Sequence, residues 1–114
     1  MSLPGLTILT KRADFLAAAR ERRVSRPAFT LQMRKSDVPQ GIRVGFTCSK
    51  KVGNAVARNR AKRRLREIAR LVLAQQGRAG FDYVLIGRHE TTATRPFDQL
   101  CRDLETALAE VHAA

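Results

Sequence analysis

Two short segments of the chain alternate apolar and polar residues, which is the pattern of a half-buried β-strand. This alternation covers residues 28–34 and residues 42–48. Residues 82–87 instead form a continuous apolar run between turn formers, which is typical of a strand buried on both faces. The region between Val24 and Gly41 leaves room for one additional short strand. The sequence therefore predicts three or four strands in a mixed sheet.

Helical spacing of apolar residues occupies most of the remaining chain. A first helix is predicted over residues 11–22, with Thr10 as its N-cap and Asp14 in its first turn, where a negative charge favours the helix dipole. A second helix should run over residues 54–76, and Thr94 should cap the last one. The last helix carries an apolar stripe, formed by Phe97, Leu100, Cys101, Leu104, Leu108 and Val111.

These elements follow the order α-β-β-(β)-α-β-α, which predicts an α+β fold. We expect a single two-layer domain over residues 1–114, in which helices pack on the mixed sheet. At 114 residues the chain has an ordinary size for one domain with a modest core. Residues 1–10 precede the first predicted element and are expected to be flexible.

The predicted second helix has two contrasting faces when its residues are placed at 100° intervals from Asn54. One face is an apolar arc of about 80° that should face the core, formed by Ala57, Ala61, Leu65, Ile68 and Val72. The opposite face is basic and polar, with Asn59, Lys62, Arg63, Arg66 and Arg70 at its centre and Arg60 at its margin. Arg58 and Arg64 flank the apolar arc.

Basic residues are concentrated in and around this helix. Residues 50–70 contain nine Lys or Arg and one acid, within a chain of formal net charge +12 and pI of about 11.4. Nine like charges repel one another, so folding alone gives no reason to gather them. A polyanion gives such a reason, because each Lys or Arg that meets a phosphate releases condensed counterions. Nucleic acid is therefore the first candidate for the partner.

A solvated surface helix is the alternative explanation for this basic face. Such helices usually alternate acids with bases for i,i+4 support, whereas Glu67 is the single acid here. Arginine also predominates, and its guanidinium group can bind two phosphate oxygens or stack on a base. Asn54 and Asn59 add groups able to meet base edges or ribose hydroxyls. Lys50 and Lys51 precede the helix, whose N-terminus favours phosphate.

Chemistry performed by the protein itself is not expected. The ten acids are scattered along the sequence without a D-x-D or H-x-x-E pattern, so no metal site and no catalytic residue are predicted. His89 and Glu90 are adjacent, and neighbouring side chains usually point apart. No apolar run is long enough to span a membrane, and the start lacks the pattern of a signal peptide. Cys48 and Cys101 should be reduced and buried, which favours a cytoplasmic protein.

Residues 43–67 read RVGFTCSKKVGNAVARNRAKRRLRE. This segment closely resembles the protein subunit of bacterial ribonuclease P, whose best-known mark is the Arg-Asn-Arg helix, here Arg58-Asn59-Arg60. Weaker agreement covers Lys11 to Phe15, Phe29, residues 82–88 and the terminal helix. The resemblance implies that the strand–helix–strand unit around the basic helix crosses over with left-handed sense, against the usual rule.

The resemblance also implies a function. In that family a monomeric protein binds one large catalytic RNA, and the complex removes the 5′ leader from precursor tRNA by endonucleolytic hydrolysis. Mg²⁺ bound mainly by the RNA drives the reaction, and the protein holds the leader and stabilises the active RNA. The residues implied to contact the catalytic RNA are Lys50, Lys51, Asn54, Arg58, Asn59, Arg60, Lys62, Arg63 and Arg66.

The family's leader-binding cleft lies between the first helix and the sheet. The implied leader-binding residues are Lys11, Arg12, Phe15, Phe29 and Arg88, with Lys50 adding charge. Aromatic stacking beside cations suits a single strand of any sequence, although both phenylalanines could equally belong to the core. Ala19 and Gln32 stand where further aromatic residues are expected, which thins the stacking surface.

Two other classes of protein compete with this interpretation. A structural RNA-binding protein of the ribosomal type would use a similar basic helix without any role in cleavage. A DNA-binding regulator would usually need a helix-turn-helix, a dimer interface or zinc ligands, and the sequence shows none of these. Cleavage of precursor tRNA separates the first of these classes from a ribonuclease P subunit.

Overall fold

One mixed sheet of five strands organises the protein in the computed structural model, which describes residues 3–113. The strands are β1 Leu6–Ile8, β2 Arg22–Arg26, β3 Phe29–Lys35, β4 Ile42–Thr47 and β5 Phe81–Gly87. Their order across the sheet is β1-β4-β5-β3-β2. β1, β4 and β5 are mutually parallel, whereas β3 is antiparallel to both β5 and β2.

Helices connect these strands and cover the sheet. The helical segments are α1 Arg12–Ala19, a 3-10 turn Lys50–Val52, α2 Ala55–Ile68, α3 Thr91–Thr94 and α4 Phe97–Val111. The helix of α2 continues through a π-helical segment, Ala69–Leu73, into a last α-helical turn, Ala74–Gln76. α2 joins the parallel neighbours β4 and β5, which is the β-α-β unit expected from the sequence. The left-handed sense of that crossover stays a prediction.

The main core lies between the sheet and the pair α2 and α4. The alternating residues of β3 and β4 turn their apolar side chains toward these helices, and β5 is buried on both faces, as predicted. Four members of the predicted apolar arc of α2 are at most 5% exposed, namely Ala61, Leu65, Ile68 and Val72. Burial of this arc fixes the rotation of α2 about its own axis.

α1 packs on the opposite face of the sheet and adds a partial layer there. Leu9, Ala18 and Val84 form a small second core, with Phe15 and Ile86 packed against it. Gly45 of β4 permits the close approach, because a Cβ atom at this position would lie 2.5 Å from Cε1 of Phe15. The α+β class and the mixed sheet packed by helices are confirmed.

The first part of the chain differs most from the sequence prediction. Residues 1–10 were expected to be flexible, yet Leu6–Ile8 pairs with β4 and Leu3 and Leu9 are buried; Met1 and Ser2 lie outside the described residues. The additional strand is present as β2, and it begins at Arg22, which the sequence had placed in the first helix. Pairing with β3 outweighs the local helical pattern here.

The predicted N-caps Thr10 and Thr94 are both wrong. Lys11 occupies the N-cap position of α1 and makes no side-chain cap hydrogen bond. Thr94 lies inside the short helix α3, where its Oγ1 donates to the carbonyl oxygen of Glu90 at 3.0 Å. Pro96 is the N-cap residue of α4. The structure therefore has a short additional helix, α3, before α4, which the sequence pattern did not predict.

Candidate RNA interface

The approach to α2 is shaped by short polar contacts and one glycine. Ser49 Oγ accepts a hydrogen bond from the backbone N–H of Lys51 at 3.3 Å, and Asn54 Oδ1 caps α2 by accepting from the N–H of Ala57 at 2.9 Å. Gly53 has φ of +141°, and a Cβ atom there would lie 2.9 Å from the Cβ of Ala57. These contacts turn the chain sharply from β4 into α2.

Burial of the apolar arc turns the polar residues of α2 outward. We call the residues on that side the basic face of α2, formed by Asn59, Arg60, Lys62, Arg63 and Arg66. All of them are exposed except Lys62, which is half-buried. Lys50, Lys51 and Asn54 are exposed at the helix start, and Arg58 is half-buried at the margin. The structure thus brings the nine residues implied to contact the catalytic RNA onto α2 and the turn before it.

The basic side chains of this surface lack acidic partners. Within residues 3–113, no acidic group lies within 4.0 Å of the charged nitrogens of Lys50, Lys51, Arg58, Arg60, Lys62, Arg63 or Arg66. Their charges are therefore available to a polyanion. Arg66 also lies over the ring of Phe46, with 5.9 Å between the guanidinium carbon and the ring centroid.

Two other arginines of the same helix are committed to contacts within the protein. Arg70 pairs with Glu67 one turn earlier. Arg64 donates to the backbone carbonyl of Arg95 and lies 5.8 Å from the ring centroid of Phe97. Arg64 therefore links α2 to the start of α4. This structural contact explains why a basic residue lies beside the apolar arc of α2 at position 64.

Grooves follow the basic face along its length. One groove of about 570 Å³ has a mixed lining, formed by Leu3, Asn59, Lys62, Arg63, Arg66, Glu67 and Arg70. A neighbouring groove of about 500 Å³ shares Asn59 and Arg63 with the first and extends to Val56, Arg60 and Arg64. The two grooves give the charged surface a concave shape that an RNA backbone can follow.

A third cleft, of about 590 Å³, joins the two predicted groups of residues at the start of α2. Arg60 lines it from α2, and Arg88 lines it from the loop after β5. His89 and Glu90 lie on its rim, with Nε2 of His89 3.4 Å from Oε1 of Glu90. The expectation that these two side chains point apart is therefore wrong. Nδ1 of His89 lies 3.1 Å from the carbonyl oxygen of Val52, which explains the ring's position structurally.

The predicted leader-binding residues do not all share one surface. Lys11 and Arg12 are exposed on α1, and Phe15 is half-buried against the sheet. Arg88 reaches the same face, where its Nη2 donates to Oγ1 of Thr30 at 3.0 Å. Thr30 is paired in register with Ile86, which packs beside Phe15. These four residues therefore lie on the same side of the sheet as α1.

Phe29 is a correction to that group. Its side chain is 0% exposed and belongs to the main core under α2 and α4, on the other face of the sheet. A ring without free surface cannot stack on a base, so the core interpretation holds for Phe29. Ala19 is exposed and Gln32 is 5% exposed, and neither has an aromatic ring. Of the two predicted stacking residues, only Phe15 therefore has exposed surface.

Four charged residues that the sequence did not bring together form an ion-pair cluster, defined here as Asp14, Arg34, Arg43 and Asp82. Asp82 is 0% exposed and accepts from Arg43 at 2.7 and 2.8 Å and from Arg34 at 3.1 Å. Burial alone would raise the pKa of Asp82, but the hydrogen bonds and charge of Arg43 outweigh it and lower that pKa. The one sequence feature that could have indicated this cluster is the presence of an acid, Asp82, in the otherwise apolar run 82–87.

The described residues show neither a candidate metal site nor a disulfide. No three side chains of His, Cys, Asp or Glu type are placed together there so that they could hold a metal ion. Cys48 is buried and Cys101 half-buried, and neither forms a disulfide. None of the helices in residues 3–113 combines the length and the apolarity that a membrane crossing requires.

Sequence comparison places the chain among proteins of known type. The sequence model of the family Ribonuclease P matches residues 3–112. The ribonuclease P protein component of Ruegeria pomeroyi is 64% identical over 111 residues, which cover 96% of this chain and 89% of that protein. The component from Caulobacter vibrioides strain NA1000 / CB15N is 52% identical over 106 residues, covering 92% of this chain and 70% of the relative.

Solved structures agree with this similarity. The RNase P protein from Thermotoga maritima has a TM-score of 0.76 at 28% identity, covering 92% of this chain and 97% of that one. The Staphylococcus aureus RNase P protein has a TM-score of 0.73 at 28% identity, covering 93% and 97%. Sequence and fold agree over nearly the whole length, and the Arg58-Asn59-Arg60 segment lies in the first half of α2. The chain accordingly belongs to the ribonuclease P protein family.

Proposed function

We propose that this chain is the RNA-binding protein component of ribonuclease P, acting on precursor tRNA as one part of an endoribonuclease. In this proposal the basic face of α2 binds the catalytic RNA, together with Lys50, Lys51, Asn54 and Arg58. The observation that carries it is the set of seven basic side chains on α2 and the preceding turn, none of which has an acidic partner within residues 3–113.

Electrostatics supports an RNA partner for this surface. Each phosphate contact releases counterions from the RNA, so binding gains free energy in proportion to the number of contacts. Arginine forks bind phosphate oxygens in pairs and stack on exposed bases. The core arc on the back of α2 keeps these side chains on one rigid surface, which lowers the entropy lost when RNA binds.

The leader of precursor tRNA is the second proposed ligand. Phe15 supplies one ring face at the cleft between α1 and the sheet, and Lys11, Arg12 and Arg88 supply positive charge around it. One half-buried ring beside cations suits a single strand without sequence preference. Arg88 also lines the cleft at the start of α2, so the two RNA surfaces are continuous at this residue.

We assign the hydrolysis to the RNA partner. When bound, Mg²⁺ held mainly by the RNA would supply charge stabilisation for cleavage of the phosphodiester. Within residues 3–113 the acidic side chains do not group so that they could hold that ion, and Asp14 and Asp82 are engaged by arginines. The proposed complex contains one protein and one catalytic RNA. The protein's contribution is to bind the leader and to stabilise the active form of that RNA.

Cleavage of precursor tRNA at low Mg²⁺ tests this proposal. Purified catalytic RNA should cut the 5′ leader faster when the protein is added, because the protein supplies positive charge that the missing ions would otherwise provide. The protein alone should cut nothing. Absence of any stimulation, with equal affinity for unrelated structured RNAs, would favour a structural RNA-binding protein instead. Cleavage by the isolated protein would contradict the assignment of the chemistry to RNA.

A further inference from the structure

The ion-pair cluster joins α1 to the middle of the sheet. Arg34, Asp82 and Arg43 are neighbours in register on β3, β5 and β4, so they form a fixed row across three strands. Asp14 reaches this row from α1, with its Oδ1 3.2 Å from Nη2 of Arg34 and 3.5 Å from Nη2 of Arg43. One carboxylate of α1 therefore bridges two arginines of the sheet.

The cluster is shielded from solvent and balanced in charge. The side chains of Arg34, Arg43 and Asp14 are 12%, 18% and 17% exposed, and that of Asp82 is 0% exposed. Two guanidinium groups face two carboxylates, so removal of one carboxylate leaves a poorly solvated positive charge. Such pairs are screened by salt far less than surface pairs.

Besides the ion-pair cluster, α1 is held by the small second core, which contains Ala18 and against which Phe15 packs. The helix has eight residues, and an isolated helix of that length is marginal in water. Within α1 only Ala18 is fully buried, Leu16 is 47% exposed, and the N-cap residue makes no side-chain hydrogen bond. Phe15, the residue next to Asp14, lies directly over Gly45. The position of this ring over the sheet thus depends on where Asp14 is held.

We propose that Asp14 is a positioning residue for the tRNA leader: through Arg34 and Arg43 it holds α1, and with it Phe15, at the spacing from the sheet that the leader requires. This inference rests on the proposed function, and it adds the device that sets the geometry of the leader cleft. Asp14 does not touch the RNA in this scheme. Its effect is confined to the cleft, because α2 is held by the main core on the other face of the sheet.

The test compares Asp14→Asn with a matched variant in the reconstituted holoenzyme. Affinities for precursor and mature tRNA are measured at fixed salt and Mg²⁺, together with affinity for the catalytic RNA. Small displacements of a binding group are costly, so Asp14→Asn should lower the preference for precursor about five- to tenfold. Affinity for mature tRNA and for the catalytic RNA should stay unchanged.

Asp37→Asn is the matched control, because Asp37 also pairs with Arg34, at 3.6 Å, but is 87% exposed and lies in the loop after β3. It removes the same charge without releasing α1, so it should keep the preference for precursor. Asp14→Glu, which retains the ion pair on a longer side chain, should recover most of that preference. Thermal unfolding of each variant confirms that folded proteins are compared.

The outcomes separate this inference from the proposed function. A wild-type holoenzyme without preference for precursor would overturn both. A wild-type preference that persists in Asp14→Asn, or that Asp37→Asn lowers equally, would overturn this inference alone. Should Asp14→Asn fail to fold, the double variant Arg34→Lys, Arg43→Lys replaces it, because lysine keeps each charge but cannot bridge Asp14 and Asp82 at once. Unchanged preference in the folded double variant would then overturn the inference.

Discussion

Neutralising three arginines of the basic face should change the salt dependence of RNA binding by a calculable amount. The variant is Arg60→Gln, Arg63→Gln and Arg66→Gln together, at three exposed positions without acidic partners in residues 3–113. Each lost phosphate contact lowers the slope of log K against log salt by about 0.7 to 0.9, so three contacts lower it by about 2.1 to 2.7. Between 50 and 200 mM salt, the variant should lose about 20- to 40-fold less affinity than the wild type.

The fold should survive this change. Glutamine and arginine have similar helix propensities, and all three side chains are exposed and lie outside the buried arc of α2. Lys62 and Arg66 stand four residues apart, as do Arg66 and Arg70, and like charges at this spacing destabilise a helix by about 0.2–0.5 kcal/mol per pair. The variant should therefore unfold at the same temperature as the wild type or slightly higher.

Equilibrium binding of the catalytic RNA over a salt series is the assay. The control variant is Arg20→Gln, Arg23→Gln and Arg102→Gln, which removes the same charge from exposed positions outside α2. If only the total charge of the protein matters, both variants will flatten the slope equally. Equal slopes for the two variants, or an unchanged slope for the α2 variant, would refute the assignment of this face to RNA.

Three further substitutions test other parts of the structure. Phe15→Ala should weaken binding of precursor tRNA but not of mature tRNA. Phe29→Ala should instead lower the free energy of unfolding in urea by about 3–5 kcal/mol and affect binding of both tRNAs alike. A loss of affinity for precursor tRNA alone in Phe29→Ala would contradict the place of Phe29 in the core. Burial, with the charges of Arg78 and Arg22, lowers the pKa of His112. The unfolded chain therefore binds the proton more readily than the folded one, so the free energy of unfolding should decline as pH falls below about 6.5. His112→Gln should reduce this decline. An identical pH profile of stability for the variant and the wild type would refute this role of His112. Asp82→Asn should cost about 3–5 kcal/mol, because it leaves two arginines poorly compensated. Since the pKa of Asp82 is lowered on folding, its contribution should persist above about pH 4 and disappear as pH falls further, which acid unfolding of both proteins measures.

The parts of the fold that follow from local periodicity were predictable. Ala61, Leu65, Ile68 and Val72 recur at helical spacing, and their burial determines which side of α2 is exposed. The nine residues implied to contact the catalytic RNA followed from the same pattern combined with the resemblance. Both depend on short-range order, which a sequence records directly.

Features that depend on distant pairing were not predictable in the same way. β1 has three residues, too few for a recognisable alternation, and it exists through its pairing with β4 more than thirty residues later. The ion-pair cluster joins residues 14, 34, 43 and 82, and no local pattern connects them. The burial of Phe29, in contrast, could be predicted from local sequence, because Phe29 alternates in phase with the buried residues Leu31 and Met33. That alternation was a better guide to Phe29 than the resemblance.

Site-directed cross-linking would show which face of the protein binds the catalytic RNA. A photoactivatable cross-linker is attached to a cysteine introduced at Asn59, on the basic face of α2, or at Ala109, on the exposed side of α4, in a Cys101→Ser background. If the basic face of α2 binds the catalytic RNA, cross-linking will be efficient from position 59 and low from position 109. Equal cross-linking from both positions, or a stronger signal from position 109, would contradict binding at this face.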